Sequence, residues 1–160
     1  MLVIADTGAL ISLGHINKIH LIEEIFGEIL IPEAVWDELK SYKHPDFDKS
    51  YADFFYSRMR KINSKNYLKY MIDNGESEAI ILYQELNADY LLIDDKKARK
   101  FAESLDLNCI GTVGILVEAK NRGLVEQIRP IFEKWLSVDR YFSKALLNQI
   151  LEDSGEEKIK

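Results

Sequence analysis

The chain has 160 residues, 47% of them hydrophobic and 30% charged, which suits one domain with a sizeable core and excludes a disordered chain. Asp and Glu number 27 against 21 Lys and Arg, a formal charge of −6; a generally basic nucleic-acid coat is excluded, so any polyanion must meet a local patch or bound cations. A single cysteine, Cys109, excludes an internal disulfide framework and a Cys-rich zinc site.

Met1-Leu2-Val3-Ile4-Ala5-Asp6 carries no basic leader, and no apolar run approaches the ~18 residues of a membrane span, so a soluble cytoplasmic domain is expected. Leu2–Ala5 reads as a buried strand that stops at Asp6-Thr7-Gly8, with Asp6 or Thr7 available to cap a helix carrying Leu10, Leu13 and Ile16. Glu28–Ile31 is a second strand. Pro32 then opens a helix whose apolar face is Val35, Trp36 and Leu39. Residues 41–50 are polar and form a connecting loop, and an aromatic, helix-like stretch runs from Tyr51 to Met59.

Asn74-Gly75 breaks the chain, and Glu76–Leu86 is strongly helical. Tyr90–Ile93 is a third strand closed by Asp94-Asp95; Ala98, Phe101, Ala102 and Leu105 mark the following helix, and Asn108–Ile110 a fourth strand. Helices over Val113–Asn121, Val125–Leu136 and Ser143–Leu151 complete the pattern, with Gly123 as a C-terminal cap. A single domain over residues 1–152 and a charged, frayed tail over 153–160 are expected. Alternating short strands and longer helices imply a parallel α/β sheet covered on both faces, whose ligands bind beyond the strands' carboxyl ends.

Two of those ends carry acids, Asp6 and Asp94-Asp95. Taken singly, Asp6 and Asp95 read as helix caps, Glu76 as a first-turn acid and Glu38 as a surface residue. Together they point to a site: four carboxylates within ~6 Å would repel by roughly 3 kcal/mol per pair at an effective dielectric near 20 and must take up protons or cations. Oxygen ligands without a His pair or Cys cluster favour Mg²⁺ or Mn²⁺ over zinc. His15, His20 and His44 are scattered and read as structural or surface residues.

Asp-Thr-Gly-Ala-Leu-Ile-Ser-Leu from Asp6, Ile-Pro-Glu-Ala-Val-Trp-Asp-Glu-Leu from Ile31, Gly-Glu-Ser-Glu-Ala-Ile from Gly75 and Leu-Leu-Ile-Asp-Asp-Lys-Lys-Ala-Arg from Leu91 stand in that order. Over essentially the whole chain this resembles PIN-domain nucleases, with the nearest likeness to a subgroup related to the VapC toxins of toxin–antitoxin modules. The resemblance implies a three-layer α/β/α sandwich with a small central parallel sheet and a C-terminal helical extension. By position it places the catalytic, metal-binding acids on Asp6, Glu38, Glu76 and Asp95, with Glu78 and Asp94 as alternatives to their neighbours and Thr7 and Thr112 in support. Ile93 stands where the family commonly has threonine, and Lys97 where a further acid is often found.

The activity implied is Mg²⁺- or Mn²⁺-dependent hydrolysis of RNA phosphodiester bonds, with a homodimer and an inhibitory antitoxin as protein partners. Lys96, Lys97, Arg99 and Lys100 are candidate phosphate contacts, read against a plain solvated helix face. Phe54-Phe55-Tyr56 with Arg58, Arg60 and Lys61 is a candidate stacking patch, read against core packing. Tyr141, Phe142, Leu146 and Leu147 offer either a contact surface or a helix folded back on its own domain. A dehalogenase-type phosphatase is disfavoured by Gly8, and a dinucleotide fold by the missing Gly-x-Gly-x-x-Gly. The rival reading is an inert domain of the same fold that binds RNA or a regulatory protein.

Overall fold

The computed structural model describes residues 1–140 and 142–160. Strands β1 (Leu2–Ala5), β2 (Glu28–Pro32), β3 (Met59–Arg60), β4 (Tyr90–Leu92) and β5 (Cys109–Ile110) form one sheet in the order β3-β2-β1-β4-β5. Every pairing is parallel, with Ile4 opposite Leu30 on one side and Leu91 on the other. Side chains alternate across the pleat, so each short apolar run feeds two cores. Val3, Ala5, Ile29, Ile31 and Leu92 face one cluster, whereas Ile4, Leu30, Leu91 and Ile93 face the other.

Helices α1 (Thr7–His15), α2 (His20–Phe26), α3 (Glu33–Ser41), α4 (Ser50–Tyr56), α7 (Thr112–Asn121), α8 (Arg129–Ser137) and α9 (Lys144–Asp153) contribute to the first cluster. Helices α5 (Asn74–Leu86) and α6 (Lys96–Ser104) cover the second. The result is the expected three-layer α/β/α sandwich.

Three local expectations are revised. The aromatic stretch 51–59 splits into α4 and the edge strand β3, because Phe55 is needed in the core while Met59 and Arg60 pair with β2. Asn74-Gly75, read as a break, forms the first turn of α5. The tail past Asp153 does not fray: the Glu156 carboxylate accepts from the Ile128 and Arg129 N–H groups at 3.0 and 3.1 Å and pairs with Lys120 at 2.5 Å. Asn148 and Ile159 add a reciprocal pair of bonds.

The C-terminal extension folds back on its own domain. Trp135 of α8 is fully buried, donates from its indole to the Ser12 carbonyl at 2.7 Å, and stacks between Phe132 and Phe142. Leu147 is buried and Leu146 is half exposed, while Tyr141 lies outside the described residues. Among the described residues, no helix is long and apolar enough to cross a membrane.

Candidate active site

The strand order sets the location. The chain builds outward from β1 to β2 and β3, then returns to the other side of β1 for β4 and β5. The switch point therefore lies between β1 and β4, whose carboxyl ends lead into Asp6 and into Ile93-Asp94-Asp95. An open crevice of about 680 Å³ occupies this point, and Asp6, Glu38, Asp73, Glu76, Asp94 and Asp95 line it with Lys96 and Arg140. Four separate elements have delivered the acids that the sequence singled out.

Each carboxylate is held differently. Asp6 is 6% exposed and sits at the N-cap of α1 without a side-chain capping bond, while its backbone N–H donates to the Leu92 carbonyl at 2.9 Å and ties the ends of β1 and β4 together. Burial raises its pKa most, the Thr7 N–H pulls it back in part, and Glu76, Glu38 and Asp94 raise it further, to about 7. Glu76, half-buried in the first turn of α5, is also pushed up to about 7, first by burial and then by Asp95 and Asp73. The helix N-terminus attracts negative charge there, yet burial and the neighbouring acids outweigh it.

Glu38 reaches over from α3 and accepts a hydrogen bond from the Thr7 hydroxyl. Thr7 therefore supports a carboxylate rather than capping its helix. A Cβ at Gly75 would stand 2.6 Å from Glu38 Oε1, so glycine is what lets the start of α5 approach this acid. Asp94 accepts from the Thr112 N–H at 2.8 Å and from its hydroxyl, which gives the site a threonine from α7 where position 93 has none. Burial raises the Asp94 pKa, against those two bonds and the nearby Arg140 and Arg99. Asp95 caps α6, accepting from the Ala98 N–H at 2.9 Å.

Glu78 lies elsewhere. It accepts from the Ala34 N–H at 3.2 Å, bracing α5 against the start of α3, and does not line the crevice. Of the basic run, Lys96 lines the crevice and Lys97 an adjoining groove. Arg99 pairs with Glu103 at 3.0 Å, and Lys100 is exposed and lines neither. The stacking patch is split: Phe55 is fully buried and Arg58 lies 3.8 Å over the Phe54 ring while pairing with Glu23, whereas Tyr56 stays 65% exposed beside Trp36. His15 is buried against Tyr42, away from the crevice.

Sequence reasoning missed two charged lining residues. Asp73 is the N-cap of α5, one turn before Glu76, a position that a helix start read two residues earlier would have exposed. Arg140 comes from the α8–α9 connection, and its guanidinium donates to the Ser12 hydroxyl and the Gly8 carbonyl at 2.9 Å each. No local pattern announces a residue more than a hundred positions from its partners.

The family comparison agrees with this geometry. A family model described as PIN domain matches residues 2–156. The chain belongs to the PIN-domain family. PIN domains are in general nucleases, which places this PIN domain among nucleic-acid hydrolases. No curated protein matches the chain.

Whether a divalent cation suits this crevice is answered by the donors. Among the described residues, no three Asp, Glu, His or Cys side chains stand close enough to hold a metal ion by themselves. Thr7, Thr112 and the α6 cap each draw one carboxylate toward a protein donor. Mg²⁺, however, commonly takes only one or two carboxylates and completes its shell with water and substrate phosphate. An oxygen-only set in which Asp6 and Glu76 are pushed up to about 7 fits such an ion.

Proposed function

We propose that the chain is a divalent-cation-dependent ribonuclease that hydrolyses RNA phosphodiester bonds at this crevice. The observation that carries the reading is the convergence of Asp6, Glu38, Glu76 and Asp95 at the sheet's switch point, with Asp6 left short of compensating charge. Asp6 and Glu76 would hold Mg²⁺ or Mn²⁺, with Glu38 and Asp95 joining directly or through water. Such an ion, when bound, supplies a nucleophilic water near neutral pH and offsets charge on the reacting phosphate.

The remaining roles belong to the chain itself. Without a cation, Asp6 and Glu76 hold protons near neutral pH, since both are pushed up to about 7. The Thr7 hydroxyl keeps Glu38 turned toward the crevice, and Thr112 fixes Asp94 on its wall. Arg140 is a fixed positive charge on the wall, tied to the α1 backbone, and Lys96 is an exposed one; both are suited to orient a phosphate. Buried Asp6 and a wall arginine thus divide the work of drawing in a cation and placing the phosphate.

The VapC-like resemblance of the four acidic motifs extends the proposal to the toxin of a toxin–antitoxin module, acting as a homodimer under an inhibitory antitoxin. A second reading, an inert PIN domain that binds RNA or a regulatory protein, is favoured by the lack of a closed three-ligand cluster among the described residues. Purified protein should cleave RNA with Mg²⁺ or Mn²⁺ and not with EDTA, and Asp6→Asn should cut cleavage by about 10²- to 10³-fold with an unchanged circular-dichroism spectrum. Equal residual cleavage by wild type and Asp6→Asn overturns the enzyme reading, and RNA binding without any cleavage selects the second.

A further inference from the structure

A second groove, of about 300 Å³, opens off the crevice and shares Asp73, Glu76 and Asp95 with it. That volume is the lower end of the ~300–1,000 Å³ typical of small-ligand pockets. Its outer wall has a different chemistry, with Lys69, Tyr70 and Lys97 in place of carboxylates. We propose that this groove is a nucleotide subsite for single-stranded nucleic acid, in which a base stacks on Tyr70 while Lys69 and Lys97 meet the phosphate next to the one held in the crevice, an inference that rests on the nuclease reading.

The segment that forms this wall differs from the rest of the molecule. Residues 61–71 contain Lys61, Lys65 and Lys69 and no acid, within a chain whose formal charge is −6. Tyr67, Tyr70 and Met71 are 68%, 79% and 55% exposed, an apolar cluster that the two hydrophobic cores leave outside. Lysines interleaved with exposed aromatic rings are the composition that binds single strands: every base has a face to stack, and the backbone needs cations. The Lys69 ammonium lies over the Tyr70 ring, 5.6 Å from its centre, so a cation stands at the stacking surface itself.

The wall is also built rather than loose. Asn66 donates to the Ser77 hydroxyl at 2.7 Å and accepts from the Lys69 N–H at 3.1 Å. Glu85 accepts from the Asn63 N–H at 2.6 Å and the Ser64 N–H at 3.2 Å, and Ile72 is buried. These bonds fasten the segment along α5 and leave Tyr70 turned outward, so little ordering entropy remains to be lost on binding. A strand with one phosphate beside Asp6 and Glu76 passes its next nucleotide over the shared acids directly to Tyr70.

The test is fluorescence anisotropy with a short labelled single-stranded RNA and the DNA of the same sequence, in Mg²⁺, using Asp6→Asn protein so that nothing is cut. Adding Tyr70→Ala should weaken binding about tenfold, and Tyr70→Phe should restore most of it. Lys97→Ala should weaken binding severalfold and lower the salt slope by about 1. Tyr56→Ala, an exposed tyrosine outside the groove, should change nothing. In otherwise wild-type protein, Tyr70→Ala should raise KM with little change in kcat. RNA binding indifferent to Tyr70→Ala and Lys97→Ala overturns the subsite and leaves the nuclease reading intact. Failure of the Asp6→Asn and the wild-type protein alike to bind either nucleic acid overturns both, and binding lost with Tyr70 in a protein that never cleaves RNA keeps the subsite while the nuclease reading falls.

Discussion

Asp6 and Glu156 are carboxylates withdrawn from water beside the start of a helix, and they end in opposite states. Glu156 accepts from the first N–H groups of α8 and pairs with Lys120. Burial alone would raise its pKa, but the Lys120 hydrogen bond and those backbone donors outweigh it and hold the carboxyl below its ordinary range. Asp6 has Glu76, Glu38 and Asp94 for neighbours instead, and is pushed up to about 7. The chain supplies every counter-charge to the acid that fastens its tail. It leaves the acid in the crevice wanting one, and such a group is suited to a ligand from outside.

The sharpest way to break the comparison is to neutralise each acid in turn. Asp6→Asn should cut metal-dependent RNA cleavage by about 10²- to 10³-fold, whereas Glu156→Gln, measured per folded molecule, should leave it within about twofold. A cleavage assay normalised to folded protein checks both; similar losses would erase the distinction. Stability should show the reverse. Glu156→Ala strands Lys120 and two N–H groups and should cost about 2–4 kcal/mol in a urea titration, enough to release the tail.

The two acids should also bend the stability profile in opposite directions. The folded chain keeps a proton on Asp6 that the unfolded chain has released, because the pKa rises from 3.8 to about 7. Its contribution is therefore complete at pH below about 4 and lost as pH rises toward 7. Glu156, held below its ordinary value, contributes above the usual carboxylate range and loses that contribution as pH falls. In EDTA, Asp6→Asn should stabilise the protein at about pH 8 by roughly 2 kcal/mol while doing little at pH 4, and Mn²⁺ should shrink that gain by neutralising the wild-type crevice. Thermal melts across this range check the sign.

Smaller effects refine the picture. Thr7→Val removes the donor to Glu38 and should lower cleavage severalfold at a stability cost of about 1 kcal/mol. Lys100→Ala, on an exposed residue outside the crevice, should leave cleavage within about twofold.

What the sequence disclosed follows from the range of the interactions involved. Leu2–Ala5 and Glu28–Ile31 declare themselves as strands because both faces of each are buried, and Asp6 and Asp94-Asp95 follow such strands directly. Glu38 and Glu76 were legible through the order of the family's motifs, which their helices carry to the crevice. The edge strand β3 spans only Met59–Arg60 and takes its conformation from β2, so it left no period of its own. Arg140 and Glu156 depend on partners far along the chain, and composition near them says nothing of what they touch. Glu78, placed beside Glu76 in the alternative ligand set, turned out to brace α3 because one helical step of 200° for two residues carries it to another face.

The most direct measurement is the anomalous difference density of crystals soaked in Mn²⁺, with Asp6→Asn crystals treated alike. The expected result is a peak in the crevice touching Asp6 and Glu76 in the wild type and absent from the variant. A crevice without density in both, or a peak of equal height in both, would contradict the claim that Asp6 is the acid left in want of a cation.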